Sequence, residues 1–122
     1  MHWRDDMTHE EIVTMLERAN LPLAYDHFTE GESPDPPFLV FLFPESNNMF
    51  ADDSVYQMFT GLNVELYTDK KDPVMEERLE KIFSEYDLPW EKSEVWIDSE
   101  KMYEVLYQMT ILYDGGNNDG EE

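Results

Sequence analysis

Cysteine is absent from all 122 residues, which excludes a disulfide framework, a thiolate nucleophile and a thiolate metal site together. That absence fits a reducing compartment. Basic residues are scarce as well: 8 Lys plus Arg stand against 29 Asp plus Glu, a formal net charge of -21. Such a field repels phosphate, so phosphate-tracking nucleic-acid binding and docking on anionic membrane are both disfavoured. Long apolar runs are missing too. The longest, residues 38–43, falls far short of the roughly 20 residues that span a bilayer. The opening Met1-His2-Trp3-Arg4-Asp5-Asp6 turns acidic where a signal peptide carries a positive patch before an apolar run. The expectation is a soluble protein made and kept in the cytoplasm, with no membrane partner.

What is present is enough to build a core. A hydrophobic fraction of 41% and an aromatic fraction of 14% exceed those of a solvated chain, despite a mean hydropathy of -0.63. A chain of this length removes roughly two-thirds of its extended surface from water, so one core is expected. The predicted organisation is a single domain over residues 1–113, with 1–7 as an N-terminal extension. Residues 114–122 read as a flexible acidic tail, because nothing in them is apolar.

Local signals order the elements. Thr8 followed by Glu11 has the form of a capping box, and Ile12, Val13 and Leu16 recur at helical spacing until Pro22 ends the run. This predicts a helix over 9–19. A short strand over 23–28 precedes a turn-rich loop, 29–36. Phe38-Leu39-Val40-Phe41-Leu42-Phe43 between Pro37 and Pro44 predicts a strand covered on both faces. Residues 45–54 are polar, and 55–68 resume a strand. There Met58, Leu62, Val64 and Leu66 share one face, Phe59, Asn63, Glu65 and Tyr67 the other, and Gly61 marks a bulge or bend. Those two strands are expected to pair as an antiparallel hairpin.

Asp72-Pro73 supplies an N-cap and a first-turn proline, after which Met75, Leu79, Ile82, Phe83 and Tyr86 form an apolar stripe. The remaining face of this second helix, Glu76, Glu77, Arg78, Glu80, Lys81 and Glu85, reads as solvated, with Glu77 and Lys81 spaced for a weak pair. A strand over 90–97, a turn at 99–101 and a strand over 102–113 close the domain. In the last, Tyr103, Val105, Tyr107, Met109 and Ile111 alternate onto one face. The predicted fold is α+β: a two-layer sandwich in which an antiparallel sheet of four or five strands carries two helices on one face.

Motifs that carry chemistry are few. There is no Gly-x-Ser-x-Gly elbow, and Gly115-Gly116 sits in the acidic tail without the helix and lysine of a phosphate cradle. Asp5-Asp6, Asp52-Asp53 and Glu76-Glu77 are pairs that so acidic a composition produces unaided; general acid work needs one of them desolvated in a concave pocket. His2, His9 and His27 lack paired helical spacing, and 114–122 lacks the ligand alternation of a calcium loop. Neither catalytic residues nor a cofactor or metal site is therefore expected. Aromatic and methionine side chains, by contrast, are abundant and suit protein interfaces.

The segments Leu21-Pro22-Leu23-Ala24-Tyr25-Asp26-His27-Phe28, the strand 38–43, Val64-Glu65-Leu66-Tyr67-Thr68-Asp69-Lys70-Lys71-Asp72 and Ser99-Glu100-Lys101-Met102-Tyr103-Glu104-Val105-Leu106-Tyr107 occur in an order with a parallel elsewhere. Together, over residues 8–112, they resemble the small tail-terminator or tail-completion proteins of long-tailed phages and prophages of Gram-positive bacteria. The resemblance implies a non-enzymatic structural protein, a homo-oligomeric ring, usually a hexamer, that caps the tail tube protein and meets the head-tail connector protein. It further implies DNA passing through the lumen without specific binding, and a location in the host cytoplasm during assembly and in the virion afterwards. Interface surfaces are expected at Phe28, Pro36 and Pro37, at Glu45, Asn48, Met49, Phe50, Asp52 and Asp53, and along an exposed strand edge. The segment 1–7 and the acidic tail do not match the family's pattern. A different class of protein, an acidic DNA mimic that inhibits a DNA-binding protein, needs carboxylates spaced like phosphates, which lysines 70, 71 and 81 interrupt.

Overall fold

A computed structural model describes residues 7–29, 31–44 and 58–113. It contains α1 (His9–Glu17), β1 (Leu23–Tyr25), β2 (Phe38–Leu42), β3 (Met58–Thr68), α2 (Pro73–Glu85), β4 (Glu91–Ile97) and β5 (Met102–Tyr113). The five strands form one sheet in the order β1-β2-β3-β5-β4, and with the two helices make an α+β fold.

The helix starts follow from their caps. Thr8 Oγ1 accepts from the Glu11 backbone N–H at 3.1 Å, and Glu11 Oε1 accepts from the Thr8 N–H at 3.0 Å. This box satisfies two donors that the first turn leaves without intrahelical partners, and contributes about 1 kcal/mol. Asp72 accepts from the Met75 N–H at 3.1 Å, and Pro73 occupies the first turn, where its missing N–H costs nothing. Asn20, at φ 60°, ends the chain's helical course past α1.

Four of the strands are antiparallel neighbours, whereas β1 runs parallel to β2 with Leu23, Ala24 and Tyr25 beside Leu39, Val40 and Phe41. An antiparallel sheet throughout was the expectation. The twelve residues 26–37 between β1 and β2 explain the difference, because parallel neighbours need a connection about that long. Leu39 N–H to the Pro22 carbonyl at 2.8 Å and Asp26 N–H to the Phe41 carbonyl at 2.7 Å extend this ladder at both ends.

β3 and β5 pair in unbroken register from Met58 opposite Tyr113 to Thr68 opposite Tyr103. Of the bulge or bend expected at Gly61, the unbroken ladder excludes the bulge. The use of Gly61 is close approach: a Cβ there would meet Pro44 Cγ at 3.3 Å.

One parity of the sheet builds the core. Leu39 and Phe41, Leu62, Val64 and Leu66, and Val105, Tyr107, Met109 and Ile111 join Ile12, Met15 and Leu16 of α1 and Leu79, Ile82 and Phe83 of α2 in a single cluster. Both helices thus draw on the same sheet face. Met7 belongs to this cluster too, buried and hydrogen-bonded through its N–H to the Leu112 carbonyl at 2.8 Å. Residue 7, expected within the N-terminal extension, is part of the folded core. β2 is buried on both faces as its apolar run predicted, since Phe38 and Val40 on the opposite parity are nearly as enclosed as Leu39 and Phe41.

Candidate functional site

Among the described residues, charge is organised differently on the two sides of the sheet. On the helix side the centre is Glu76, which the sequence placed on a solvated face but whose residue is only 3% exposed. Lys71 and Lys92 each donate to its carboxylate at 2.8 Å. Lys92 also pairs with Glu80 at 2.7 Å, and Lys71 with Glu94. Tyr107 Oη donates to Glu80 at 2.8 Å beneath them. The network joins the entry to α2, α2 itself, β4 and β5.

Burial alone would raise the Glu76 carboxyl; the hydrogen bonds from Lys71 and Lys92 outweigh it and hold the group below the ordinary carboxylate value. Lys71 and Lys92 are raised by the same bonds. Burial, then the Glu80 hydrogen bond, raises the Tyr107 phenol. A buried ion pair is sound only when its remaining polar atoms are satisfied, and here every member has a partner. The sequence did carry a signal. Glu76 stands three residues before Leu79 and seven before Phe83, on the buried stripe, and its charge concealed the periodicity.

Further pairs knit the helices. Arg18 Nη2 meets Glu85 at 2.5 Å, and Arg78 donates to the Ala19 carbonyl at 3.2 Å. The Glu77–Lys81 pair that spacing allowed does not form among the described residues.

The sheet face away from the helices has another character. Row by row across β2, β3, β5 and β4 it carries Phe38, Tyr67, Glu104 and Val95, then Val40, Glu65, Leu106 and Ser93. Glu65 and Glu104 are thus diagonal neighbours on adjacent strands. Tyr67 stacks on Phe38 at 5.0 Å and donates through its hydroxyl to Glu65 at 2.8 Å. Among the described residues no cation lies within ion-pairing distance of either carboxylate. Burial first, opposed by the Tyr67 hydrogen bond and reinforced by Asp26, raises Glu65; burial and then the Glu65 charge raise Glu104. Nothing local in the sequence pairs these two acids, because their meeting depends on the β3–β5 register.

Phe28, Pro36 and Pro37 are half-buried in the β1–β2 connection, where the Phe28 ring packs edge-on against Phe38 at 5.2 Å and the Pro36–Pro37 peptide is cis. Glu45, Asn48, Met49, Phe50, Asp52 and Asp53 lie outside the described residues, as do the segment 1–6 and the acidic tail. The expected exposed strand edge is present at both margins. At β4 every residue but Ile97 is exposed, including Val95 at 52% and Trp96 at 43%; at β1 Tyr25 is 49% exposed.

An open depression of about 560 Å³ lies between Pro44, Gly61, Asn63, Trp90, Glu91 and Gln108. Neither Glu65 nor Glu104 lines it, so the raised acids and the concavity that an acid-pair enzyme would combine are in different places. His9 packs against Tyr25 and Phe41, and His27 meets its neighbour Asp26 at 2.9 Å. No three His, Asp or Glu side chains converge as a metal site among the described residues, and no described helix is long and apolar enough to cross a membrane.

No family model and no curated protein matches the chain. Fold and surface together define, among the described residues, an α+β domain in which one sheet face joins both helices in the core, the other is enclosed over β2 and half-buried or exposed across β3, β5 and β4, and the marginal strands β1 and β4 have no outer partner.

Proposed function

We propose that the chain is a non-enzymatic structural protein of a long-tailed phage or prophage, a tail terminator whose copies close into a ring on the tail tube and meet the head connector. The observation that carries this reading is that, among the described residues, both margins of the sheet end in unpaired strands that expose large apolar side chains, Tyr25 on β1 and Val95 and Trp96 on β4. An exposed, partly apolar edge invites strand pairing, and a solitary protein usually blunts it. Two different edges meeting head to tail make a heterologous contact, the kind that closes rings. The segment order that resembles tail-terminator proteins supplies the identity of the tube and connector. An acidic ring lumen would repel DNA and let it pass without sticking.

The DNA-mimic alternative is less well supported. Glu76, Glu80, Glu85, Glu94 and Asp98 are engaged by the protein's own cations, which breaks the evenly spaced charge that phosphate mimicry needs. The test is electron microscopy with mass determination of the purified chain, alone and with tail tube protein. Rings are expected for the natural sequence, and V95K/W96E is expected to disperse them without changing the circular dichroism of the subunit. A chain that stays monomeric with and without the tube would overturn the proposal.

A further inference from the structure

The sheet face away from the helices poses a physical problem that the helix side does not. Glu65 and Glu104 are partly removed from water among Tyr67, Leu106 and Val95, and the Glu65 charge, diagonal to Glu104 across the β3–β5 ladder, disfavours ionisation of Glu104. On the helix side the deeper burial of Glu76 is answered by two lysines on one carboxylate. Among the described residues no such answer exists here, and few of their cations are left to give one. Arg18, Lys71, Lys92 and Lys101 are in ion pairs, and Arg78 is bound to a backbone carbonyl. A net charge of -21 then makes a foreign cation a far better match than a second copy of this chain.

We infer that this face is the docking surface for a basic partner protein, which places a Lys or Arg side chain between Glu65 and Glu104 and rests flanking apolar side chains on Leu106 and Val95. The geometry favours the guanidinium of arginine, whose planar fork reaches two carboxylates on adjacent strands at once. Tyr67 holds Glu65 in place through its hydroxyl, and its own ring is fixed against Phe38. The cation satisfies both acids, while the apolar contacts exclude water around them and strengthen the pairing. The proposal does not require a ring, because Glu65 and Glu104 lie on the inner strands β3 and β5, although Val95 on the marginal strand β4 belongs to both surfaces.

The probe is a blocked synthetic peptide, Thr-Val-Thr-Arg-Thr-Val-Thr, and the same peptide with citrulline in place of arginine, which keeps the shape and loses the charge. Amide chemical shifts of the protein are followed by NMR as each peptide is added. The arginine peptide is expected to move the resonances of Glu65, Tyr67, Val95, Glu104 and Leu106, and the citrulline peptide to bind at least about tenfold more weakly. E65Q/E104Q is expected to erase that preference, whereas E17Q/E77Q, which neutralises two exposed helix acids, retains it. A melting temperature for E65Q/E104Q no lower than that of the natural sequence separates lost recognition from lost folding. Shifts spread over the helix side, equal binding of both peptides, no shifts at all, or equal loss in E17Q/E77Q would each overturn the inference. So would loss of self-association in E65Q/E104Q, which would assign the face to a second copy.

Discussion

The two faces of one sheet handle buried charge in opposite ways. Over the helix-covered face, Glu76 is almost wholly enclosed yet ionised, because two lysines and the surrounding hydrogen bonds more than offset its desolvation. Across the opposite face, Glu65 and Glu104 are less enclosed yet harder to ionise, because burial is reinforced by other carboxylates, Asp26 at Glu65 and Glu65 at Glu104, and no cation among the described residues opposes it. Depth of burial therefore does not rank these acids; their partners do. A satisfied network holds elements together, while an unsatisfied one is a place where a partner can supply what is missing.

The sharpest contrast should come from truncating an apolar residue on each face. Leu66→Ala, at a fully buried position under the helices, is expected to cost about 2–5 kcal/mol in urea unfolding. Leu106→Ala, at a half-buried position on the opposite face, is expected to cost no more than about 1 kcal/mol. Comparable losses would mean that both faces are covered alike.

Next in size is the pair of charge deletions. Glu76→Ala is expected to destabilise by about 2 kcal/mol, short of the full penalty for orphaning a buried ion because Lys71 and Lys92 keep Glu94, Glu80 and some water. E65Q/E104Q is expected to be neutral or stabilising near neutral pH. If it destabilised as Glu76→Ala does, the carboxylates would have partners that the geometry lacks.

The pH dependence follows with opposite signs. Glu76, held below the ordinary carboxylate value, contributes stability that is present above that value and is lost as pH falls through its folded-state pKa. Glu65 and Glu104, held above it, contribute stability that is present below the ordinary value and is lost as pH rises through their folded-state pKa values. Unfolding curves at about pH 4 and about pH 7 should therefore show the advantage of E65Q/E104Q growing with pH, and the penalty of Glu76→Ala shrinking as pH falls.

The smallest effect belongs to Tyr107→Phe. Removing the hydroxyl that donates to Glu80 is expected to cost about 1 kcal/mol, since Lys92 remains on that carboxylate. Double-mutant analysis with Glu80→Gln checks whether the loss lies in that bond.

Much of the fold was legible because its signals are local. The Thr8–Glu11 box, the Asp72-Pro73 start, the apolar run of β2 and the alternation of β5 each need only a few neighbouring residues to be read. The parallel placement of β1 was not, because strand direction depends on where the connection 26–37 returns. Gly61 looked like a bulge or bend for a related reason: the demand on it comes from Pro44, seventeen positions earlier in the chain. The site was legible only in its edges. Glu76 could have been placed from its spacing to Leu79 and Phe83, had charge not outweighed periodicity. The meeting of Glu65 with Glu104 is set by long-range register and leaves no trace in either segment.

The reading of this chain as a ring-forming tail terminator rests on its two open margins, and one measurement addresses it most directly. Native mass spectrometry of the natural sequence and of V95K/W96E, each with and without tail tube protein, should give a closed oligomer, a hexamer on the family resemblance, for the first and a monomer for the second. A natural chain that remains monomeric under both conditions, or an oligomer that V95K/W96E leaves intact, would contradict the account.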